Sequence, residues 1–208
     1  MLFRSDRHGP DPIDRYRGPV ARSEFGEPRA LEIEGHEVRV SSPLRPMWKS
    51  GDKVVTKADL VDFYVSVGPA LLRAVGDRPT TLERWPGGVC VDGEFGEFFY
   101  NKHLPKGTPD YVGTAEVTFP SGRQATQVCP ANVATIAWAA NLGCVTFHPW
   151  PLRKGGRDHP DQLRLDLDPQ PGTDFADAVA AAVELRSILV DVGLDPFVKR
   201  SEEHTSEL

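Results

Sequence analysis

The sequence has few cysteines, and the three it contains are far apart. Cys90, Cys129 and Cys144 form no C-x-x-C pair, so neither a disulfide framework nor a zinc knuckle is indicated. Unpaired thiols of this kind are typical of a reducing compartment. We therefore expect a protein of the cytosol and exclude the disulfide-rich secreted class.

Long hydrophobic runs are also missing. The longest, ATIAWAANLG and AVAAAVELRSILV, are too short or too interrupted by charge to cross a bilayer. No apolar segment follows the basic residues of the N-terminal MLFRSDRHGPD, although a secretory signal peptide would need one. The sequence thus predicts a cytoplasmic protein that has no membrane as a partner.

An excess of positive charge is the third absence. The formal net charge is -6 at pH 7, whereas proteins that bind nucleic acid without specificity are usually basic. A local cationic channel can still exist, because acidic residues elsewhere lower the total. The sequence shows neither an internal repeat nor a heptad pattern.

What is present is the composition of one α/β domain. The chain has 208 residues, of which 39% are hydrophobic, enough for one sizeable core and at most a small second lobe. Residues 1–28 mix Arg, Asp, Pro and Gly without apolar periodicity, which indicates a flexible leader. We place the folded part at 29–199 and a separate tail at 200–208.

Helical and strand patterns alternate through the folded part. Thr56 and Asp59 form a capping box at the start of a helix, which the Gly68-Pro69 pair is expected to divide in two. Hairpins are predicted for ALEIEGHEVRVSS and AEVTFPSGRQATQV, strands for RPTTLERW, EFFYNKH and CVTFH, and a helix closed by glycine for ANVATIAWAANLG.

The clearest predicted strand is QLRLDLD, residues 162–168. Its leucines alternate with polar residues, so Asp166 and Asp168 project from one face, about 7 Å apart at Cα. Such a pair can hold one divalent ion or bridge two ions about 4 Å apart, as in phosphoryl transfer. The alternative is a solvated strand face. A helix capped by Thr173 or Asp174 follows, and DPFVK is expected to be a last strand.

A second group of residues mixes cations with aromatic rings. Phe98 and Phe99 are adjacent, so in a strand they point to opposite faces and one of them lies near solvent or a ligand. Cations among rings suit the binding of phosphates and the stacking of bases, although adjacent aromatic residues more often only pack. The other members are Arg78, Arg84, Trp85, Tyr100, Lys102 and His103.

Two smaller features could contact phosphate. His148, in TFHPW at the end of a strand, could face the aspartates and bind phosphate or metal, although a lone histidine is more often structural. Arg45, Lys49, Lys53 and Lys57 form a basic cluster. This cluster is either a solvated face or a clamp for a terminal phosphate.

In this order, the segments resemble the polymerase domain of bacterial ligase D, a branch of the archaeo-eukaryotic primase superfamily used in non-homologous end joining. The resemblance implies a primase-polymerase fold of the α/β (α+β) class, with mixed sheets flanked by helices and incomplete at the C-terminus. Residues 29–199 would be the N-terminal part of that domain. The resemblance rests on TKADLVDFY, RPTTLERWPGG, FFYNKH, WAANLG, FHPW, DLDPQPGTDFADAV and VGLDPFVK.

The resemblance also implies the site residues. Asp166 and Asp168 would be the catalytic carboxylates that bind Mn²⁺ or Mg²⁺ for nucleotidyl transfer. Phe98 and Phe99 would stack against the template strand. The nucleotide or template would also be contacted by Arg84, Lys102 and His148, and the 5′-phosphate of a DNA end by Arg45 and Lys57.

The implied activity is that of a DNA polymerase or primase with a two-metal mechanism. DNA ends and nucleoside triphosphates would be the substrates, with Ku and a DNA ligase as partners, in a cytoplasmic, nucleoid-associated protein. One segment departs from the family: Arg45 replaces a lysine, which keeps the charge but changes its geometry.

The last residues of the chain match nothing in the family. RSEEHTSEL follows Phe197-Val198-Lys199 where the family continues into a Ser/Gly-rich turn with a histidine and, later, a third catalytic aspartate. The nonapeptide resembles the translation of a sequencing-library adaptor, so we expect a truncated chain that is inactive by itself. Two alternatives stay open: a non-catalytic DNA-end binding module and a metal-dependent phosphatase, although Pro169-Gln170 stands where a phosphatase of the dehalogenase type needs Thr or Val.

Overall fold

The structure, a computed structural model, describes residues 24–119, 121–156 and 159–199. Most of the predicted leader and the whole predicted tail lie outside the described residues. Contacts within the chain define two compact units, whose boundary in the sequence falls between Gln162 and Leu163. None of the described helices is long and apolar enough to cross a membrane.

The described residues form eleven strands and three helices. The strands are β1 (Arg29–Ile33), β2 (His36–Val40), β3 (Pro46–Ser50), β4 (Lys53–Thr56), β5 (Thr80–Arg84), β6 (Cys90–Val91), β7 (Glu94–Phe95), β8 (Phe99–Asn101), β9 (Thr114–Thr118), β10 (Gln124–Val128) and β11 (Cys144–Pro149). The helices are α1 (Lys57–Val75), α2 (Val133–Asn141) and α3 (Phe175–Asp191).

The strands of the first unit form a hairpin and two larger sheets. β1 and β2 are the hairpin, and β4, β3, β6 and β7 follow one another in a four-stranded sheet in which β3 and β6 are parallel. In the five-stranded sheet the order is β11, β5, β10 and β9, and β8 also pairs with β5. β5 is therefore the central strand of the sheet that carries most of the candidate site.

Several elements confirm the sequence patterns. Both hairpins form, one from β1 and β2 and the other from β9 and β10, and the strands β5, β8 and β11 lie where alternation predicts them. α2 ends just before Gly143, whose φ is +79° and which takes the left-handed conformation that closes many helices. The sequence does not predict the strands β3, β4, β6 and β7, because PMWKS, KVVT, CV and EF lack a clear alternation of apolar and polar residues.

α1 begins where the sequence predicts but does not break. The Asp59 backbone N–H donates to Thr56 Oγ1, and the Asp59 carboxylate accepts from the Thr56 N–H. The expected division at Gly68-Pro69 is wrong, since α1 is continuous and contains Pro69. Gly68 permits close packing instead, because a Cβ there would lie 2.6 Å from Cγ1 of Val133 in α2. The stability gained by packing against α2 offsets the loss of the backbone hydrogen bond that Pro69 cannot donate.

α2 is a core helix. Eight of its nine residues are buried. Asn132 caps the helix by accepting from the Thr135 N–H at 2.8 Å, and Glu34 accepts from the Val133 N–H at 2.8 Å. Glu34 comes from the turn between β1 and β2, so this bond ties the hairpin to the helix. Around α2 the core includes Val38, Val40, Met47, Leu60, Val61, Leu82 and Val128.

Alternation along β5 separates a buried face from an open face. Thr80, Leu82 and Arg84 are buried, while Thr81 and Glu83 are partly exposed. Because successive side chains of a strand point to opposite sides, Leu82 anchors the strand in the core. The open face of β5 is left to carry polar and aromatic groups.

The second unit contains α3 and no strand in its described residues. Asp174 caps α3, as predicted, and Gly193 follows the helix with a φ of +82°. The strands predicted over 162–168 and 195–199 are wrong. Alternation specifies the two faces of a strand, but a strand also needs a neighbour that pairs with it and covers its apolar side. Here the leucines stay exposed, Leu163 by 66%.

Candidate functional site

The nine residues predicted for the site divide between the two units. The two aspartates belong to the second unit, and the other seven side chains belong to the first. Of the seven, some surround the N-terminus of α1 and the others lie on or next to β5, β8 and β11. The seven are Arg45, Lys57, Arg84, Phe98, Phe99, Lys102 and His148.

Lys57 is the first residue of α1, and its ammonium is buried. The residue is 7% exposed, and Nζ donates to Ser41 Oγ at 3.1 Å. Burial, together with repulsion from Arg45 and Arg84, lowers the pKa of Lys57 to about 8. An anion stabilises cations held together in this way. We call these three residues, Arg45, Lys57 and Arg84, the cation site.

The two arginines of the cation site are held by backbone, amide and ring contacts. Arg84 Nε donates to the Leu142 carbonyl oxygen at 3.0 Å, and a terminal nitrogen donates to Asn101 Oδ1 at 2.9 Å. The Arg45 guanidinium carbon lies 4.3 Å from the centroid of the Phe25 ring. Both guanidinium groups are therefore positioned before any ligand binds.

A groove of about 320 Å³ adjoins the cation site. The Asn141 side-chain oxygen accepts from the Ser41 backbone N–H at 2.8 Å, and the Ser41 hydroxyl accepts from Lys57. Sequence reasoning missed Ser41 and Asn141, because they are 100 residues apart and neither forms a motif alone. The groove is lined by Pro28, Arg39, Ser41, Ser42 and Asn141.

Phe98 and Phe99 point to opposite sides, as predicted. Phe98 is 48% exposed and stacks on Trp85, with ring centroids 4.7 Å apart and planes inclined by 26°. Phe99 is partly buried, and the Arg84 guanidinium carbon lies 5.1 Å from its ring centroid. Phe98 thus presents an aromatic face at the surface, whereas Phe99 contacts the cation site.

His148 lies near the end of β11 and contacts a glutamate that the sequence analysis did not single out. Its Nε2 is 3.0 Å from Glu83 Oε2, and the other Glu83 oxygen accepts from the Trp85 indole N–H at 2.9 Å. Tyr100 meets the imidazole edge-on, with centroids 5.4 Å apart. Glu83 gave no local signal because His148 is 65 residues away. That His148 faces the aspartates stays a prediction.

The predicted basic cluster is not one surface. Lys49 pairs with Asp92 at 2.7 Å, Lys53 is exposed on β4, and Lys57 is buried. The cluster is therefore not one solvated face, because Lys57 begins α1 and is buried, and the clamp for a terminal phosphate stays a prediction. Lys102 follows β8 with an exposed side chain, and its carbonyl oxygen accepts from a buried glutamine amide at 3.2 Å.

Asp166 and Asp168 are exposed on an irregular segment of the second unit. The Gln170 side chain donates to the Asp168 carbonyl oxygen at 3.3 Å. Among the described residues, no group of three or more His, Cys, Asp or Glu side chains is placed to hold a metal ion. The two carboxylates are the hard oxygen donors that Mg²⁺ and Mn²⁺ prefer, and such ions usually take their remaining ligands from water and substrate phosphates. The carboxylate oxygens of the pair therefore match the ligand preference of these ions.

The mixed α/β fold brings a buried cation site next to exposed aromatic rings, a combination suited to phosphorylated, base-containing substrates. A comparison with protein families gives the class: the model described as LigD, primase-polymerase domain, matches residues 56–203. The chain belongs to this family, a family of metal-dependent nucleotidyltransferases. The resemblance noted in the sequence is thereby confirmed.

Curated relatives cover most of the chain. The bifunctional non-homologous end joining protein LigD of Bacillus subtilis is 31% identical over 173 residues, 79% of this chain and 26% of that protein. The multifunctional non-homologous end joining protein LigD of Pseudomonas aeruginosa is 30% identical over 194 residues, 93% of this chain and 21% of that protein. The chain therefore spans about a quarter or less of the length of these relatives.

A solved structure shares the fold. The polymerase domain of Mycobacterium tuberculosis ligase D in complex with DNA aligns with a TM-score of 0.54 and 27% identity. The alignment covers 70% of this chain and 54% of that one. The predicted α/β class, with mixed sheets and flanking helices, is confirmed.

Proposed function

We propose that this protein acts in nucleotidyl transfer at DNA ends, as a DNA-dependent DNA or RNA polymerase or primase of non-homologous end joining. The observation that carries the proposal is the family match over 56–203, because it spans Lys57, Asp166 and Asp168. DNA ends and nucleoside triphosphates would be the substrates, and Ku and a DNA ligase the partners.

Asp166 and Asp168 would hold the divalent ion, Mn²⁺ or Mg²⁺. When bound, such an ion neutralises triphosphate charge and favours ionisation of a primer 3′-hydroxyl. The two carboxylates supply negative charge and oxygen donors at i and i+2 on an exposed segment. Their removal is therefore expected to weaken the binding of a metal-complexed nucleotide while leaving the first unit intact.

The cation site would bind the 5′-phosphate of a DNA end, chiefly through Arg45 and Lys57. Without an anion, burial and the neighbouring arginines make it costly to keep Lys57 protonated. A phosphate beside Lys57 would restore the proton and relieve the repulsion among the three cations. The groove lined by Ser41 and Ser42 would give the phosphate access to them.

The aromatic and polar groups near β5 would contact the nucleotide and the template. Phe98 would stack on a template base through its exposed face, since base–aromatic stacking tolerates any sequence. Phe99 would act from the other side, where it supports the guanidinium of Arg84. Arg84 and Lys102 would contact phosphates, and His148 would contact the incoming nucleotide.

Binding of a gapped DNA duplex tests the cation site. A duplex with a 5′-phosphate at the gap should bind about tenfold more tightly than the same duplex with a 5′-hydroxyl. One charge-assisted hydrogen bond typically contributes this much affinity. Lys57→Ala should remove this difference, while Lys53→Ala, in an exposed residue of β4, should keep it. Fluorescence anisotropy measures both affinities. Equal binding of the two duplexes by the wild-type protein would contradict the assignment.

Primer extension on the same DNA tests the transfer reaction. With Mn²⁺ and nucleoside triphosphates, synthesis should disappear in Asp166→Ala while DNA binding persists. Synthesis that persists undiminished in Asp166→Ala would contradict the assignment of this carboxylate.

A non-catalytic DNA-end binding module is the second candidate. It is favoured by the cation site, because all three of its side chains are fixed within the first unit. This candidate predicts recognition of the 5′-phosphate without any metal-dependent binding of nucleotide. A titration with ATP therefore separates the two functions even if no synthesis is seen.

A further inference from the structure

Glu83 and His148 are neighbours by the register of the sheet. Glu83 on β5 lies opposite Thr146 on β11, and His148 lies opposite Thr81. Since residues two apart on a strand share a face, Glu83 and His148 are diagonal neighbours on the open face. The 3.0 Å distance between His148 Nε2 and Glu83 Oε2 follows from this placement.

A second donor fixes the Glu83 carboxylate. The Trp85 indole N–H donates to Oε1 at 2.9 Å, and an indole nitrogen can only donate. The Glu83 side chain is 16% exposed, so little solvent competes for its oxygens. A carboxylate accepts hydrogen bonds, so the nitrogen of His148 that faces it is the one that carries a proton.

Aromatic contacts connect Trp85 to His148 and complete a closed circuit of side chains with Glu83. Trp85 stacks on Phe98 with centroids 4.7 Å apart, Phe98 meets Tyr100 edge-on at 5.6 Å, and Tyr100 meets His148 edge-on at 5.4 Å. Glu83 joins the two ends of this chain of rings. Tyr100 thus fixes the orientation of the imidazole plane, and Glu83 fixes which ring nitrogen carries the proton.

We propose that Glu83 is a positioning residue for His148. It fixes the imidazole with the proton on Nε2 and so leaves Nδ1 as the ring nitrogen available to a nucleotide. Through Trp85, the same carboxylate keeps Phe98 in a fixed relation to that imidazole. The role of Nδ1 rests on the proposed function, whereas the tautomer is a property of the first unit alone.

Glu83→Gln tests the tautomer without changing the shape of the side chain. A glutamine whose oxygen accepts from the Trp85 indole turns its NH₂ toward His148, and that NH₂ needs a lone pair on Nε2. The ring proton should then move to Nδ1. Nitrogen-15 NMR of the imidazole at pH 8, where an ordinary histidine is neutral, reports which nitrogen is protonated.

The matched control is Glu116→Gln, which removes the same charge from an exposed position of the same sheet. It should leave the His148 tautomer unchanged, and far-UV circular dichroism should confirm that both variants are folded. If His148 has the same tautomer in the wild type and in Glu83→Gln, the proposal is overturned. This holds regardless of the outcome of nucleotide-binding measurements.

An ATP titration tests the consequence for binding. Glu83→Gln and His148→Ala should each weaken ATP binding about tenfold, and the double variant should be no weaker than His148→Ala alone, because one residue acts through the other. Losses that add would overturn the positioning role. If the wild-type protein binds no ATP, the proposed function fails, while the tautomer still decides the role of Glu83.

Discussion

α2 and α3 follow the same local rules and have different surroundings. Asn132 and Asp174 cap their N-termini, and Gly143 and Gly193 follow with φ near +80°. Yet eight of the nine residues of α2 are buried, whereas no residue of α3 is. Caps decide where a helix starts and ends, but packing supplies most of its stability. The predicted site divides in the same way, between side chains fixed by contacts in the first unit and exposed aspartates in the second.

The largest expected effect comes from one substitution made in each helix. Ile136 in α2 is fully buried, while Ile188 in α3 is 53% exposed. Ile136→Ala should lower the free energy of unfolding by about 3 kcal/mol, because it removes buried methyl groups and leaves a cavity. Ile188→Ala should lower it by less than about 0.5 kcal/mol, as surface substitutions do.

Urea unfolding followed by circular dichroism measures both changes. Because the two residues are identical in chemistry and both lie inside helices, the comparison isolates burial. Equal losses in the two variants would show that α3 is packed in solution and would remove the contrast between the units.

The next largest effect is a pH dependence from Lys57 in the first unit. Its folded-state pKa is about 8, below the ordinary 10.5, so between these values the unfolded chain binds more protons than the folded one. Stability should therefore rise with pH across this window, by up to about 1.4 kcal/mol per unit. Below pH 8 the lysine is protonated in both states, and the full cost of burying its charge remains.

Unfolding in urea at pH 7.5 and 9.5 checks this sign. Lys57→Met should lose the rise, and Lys53→Met, at an exposed position of β4, should retain it. A wild-type protein whose stability did not depend on pH in this window would mean that Lys57 is hydrated in solution.

The smallest effect is expected at the two caps. Asn132→Ala should destabilise the first unit by about 1 kcal/mol, since it leaves the Thr135 N–H without its acceptor. Asp174→Ala should destabilise the first turn of α3 by a similar amount, and it should lower only the helix content that α3 contributes. Hydrogen exchange of the amides at each N-terminus distinguishes local fraying from global loss. Faster amide exchange throughout the first unit of Asp174→Ala would contradict the contrast between the packed α2 and the exposed α3.

Elements specified by adjacent residues could be predicted from the sequence. The capping box of Thr56 and Asp59, the glycine after α2, and the opposite directions of Phe98 and Phe99 all depend on residues close in the chain. Each follows from the backbone geometry of one turn or one strand, so no knowledge of distant neighbours was needed.

Features that depend on distant residues were missed or wrong. Gly68 looked like a helix breaker, but it allows α1 to approach Val133 closely. Glu83 looked like an ordinary strand residue, because its partnership with His148 exists only once β11 lies beside β5. The strand expected at 162–168 had the right alternation but needs a pairing neighbour, which alternation cannot reveal.

The roles of Asp166 and Asp168 are the central claim, and metal-dependent ATP binding tests them most directly. Isothermal titration of ATP with and without Mn²⁺ should show an affinity at least about tenfold higher with the metal, as expected for carboxylates that complete its coordination. Asp166→Asn with Asp168→Asn should abolish this increase, and Asp195→Asn, at another exposed aspartate of the second unit, should not. An undiminished increase in the double variant would contradict the assignment of these aspartates to the metal.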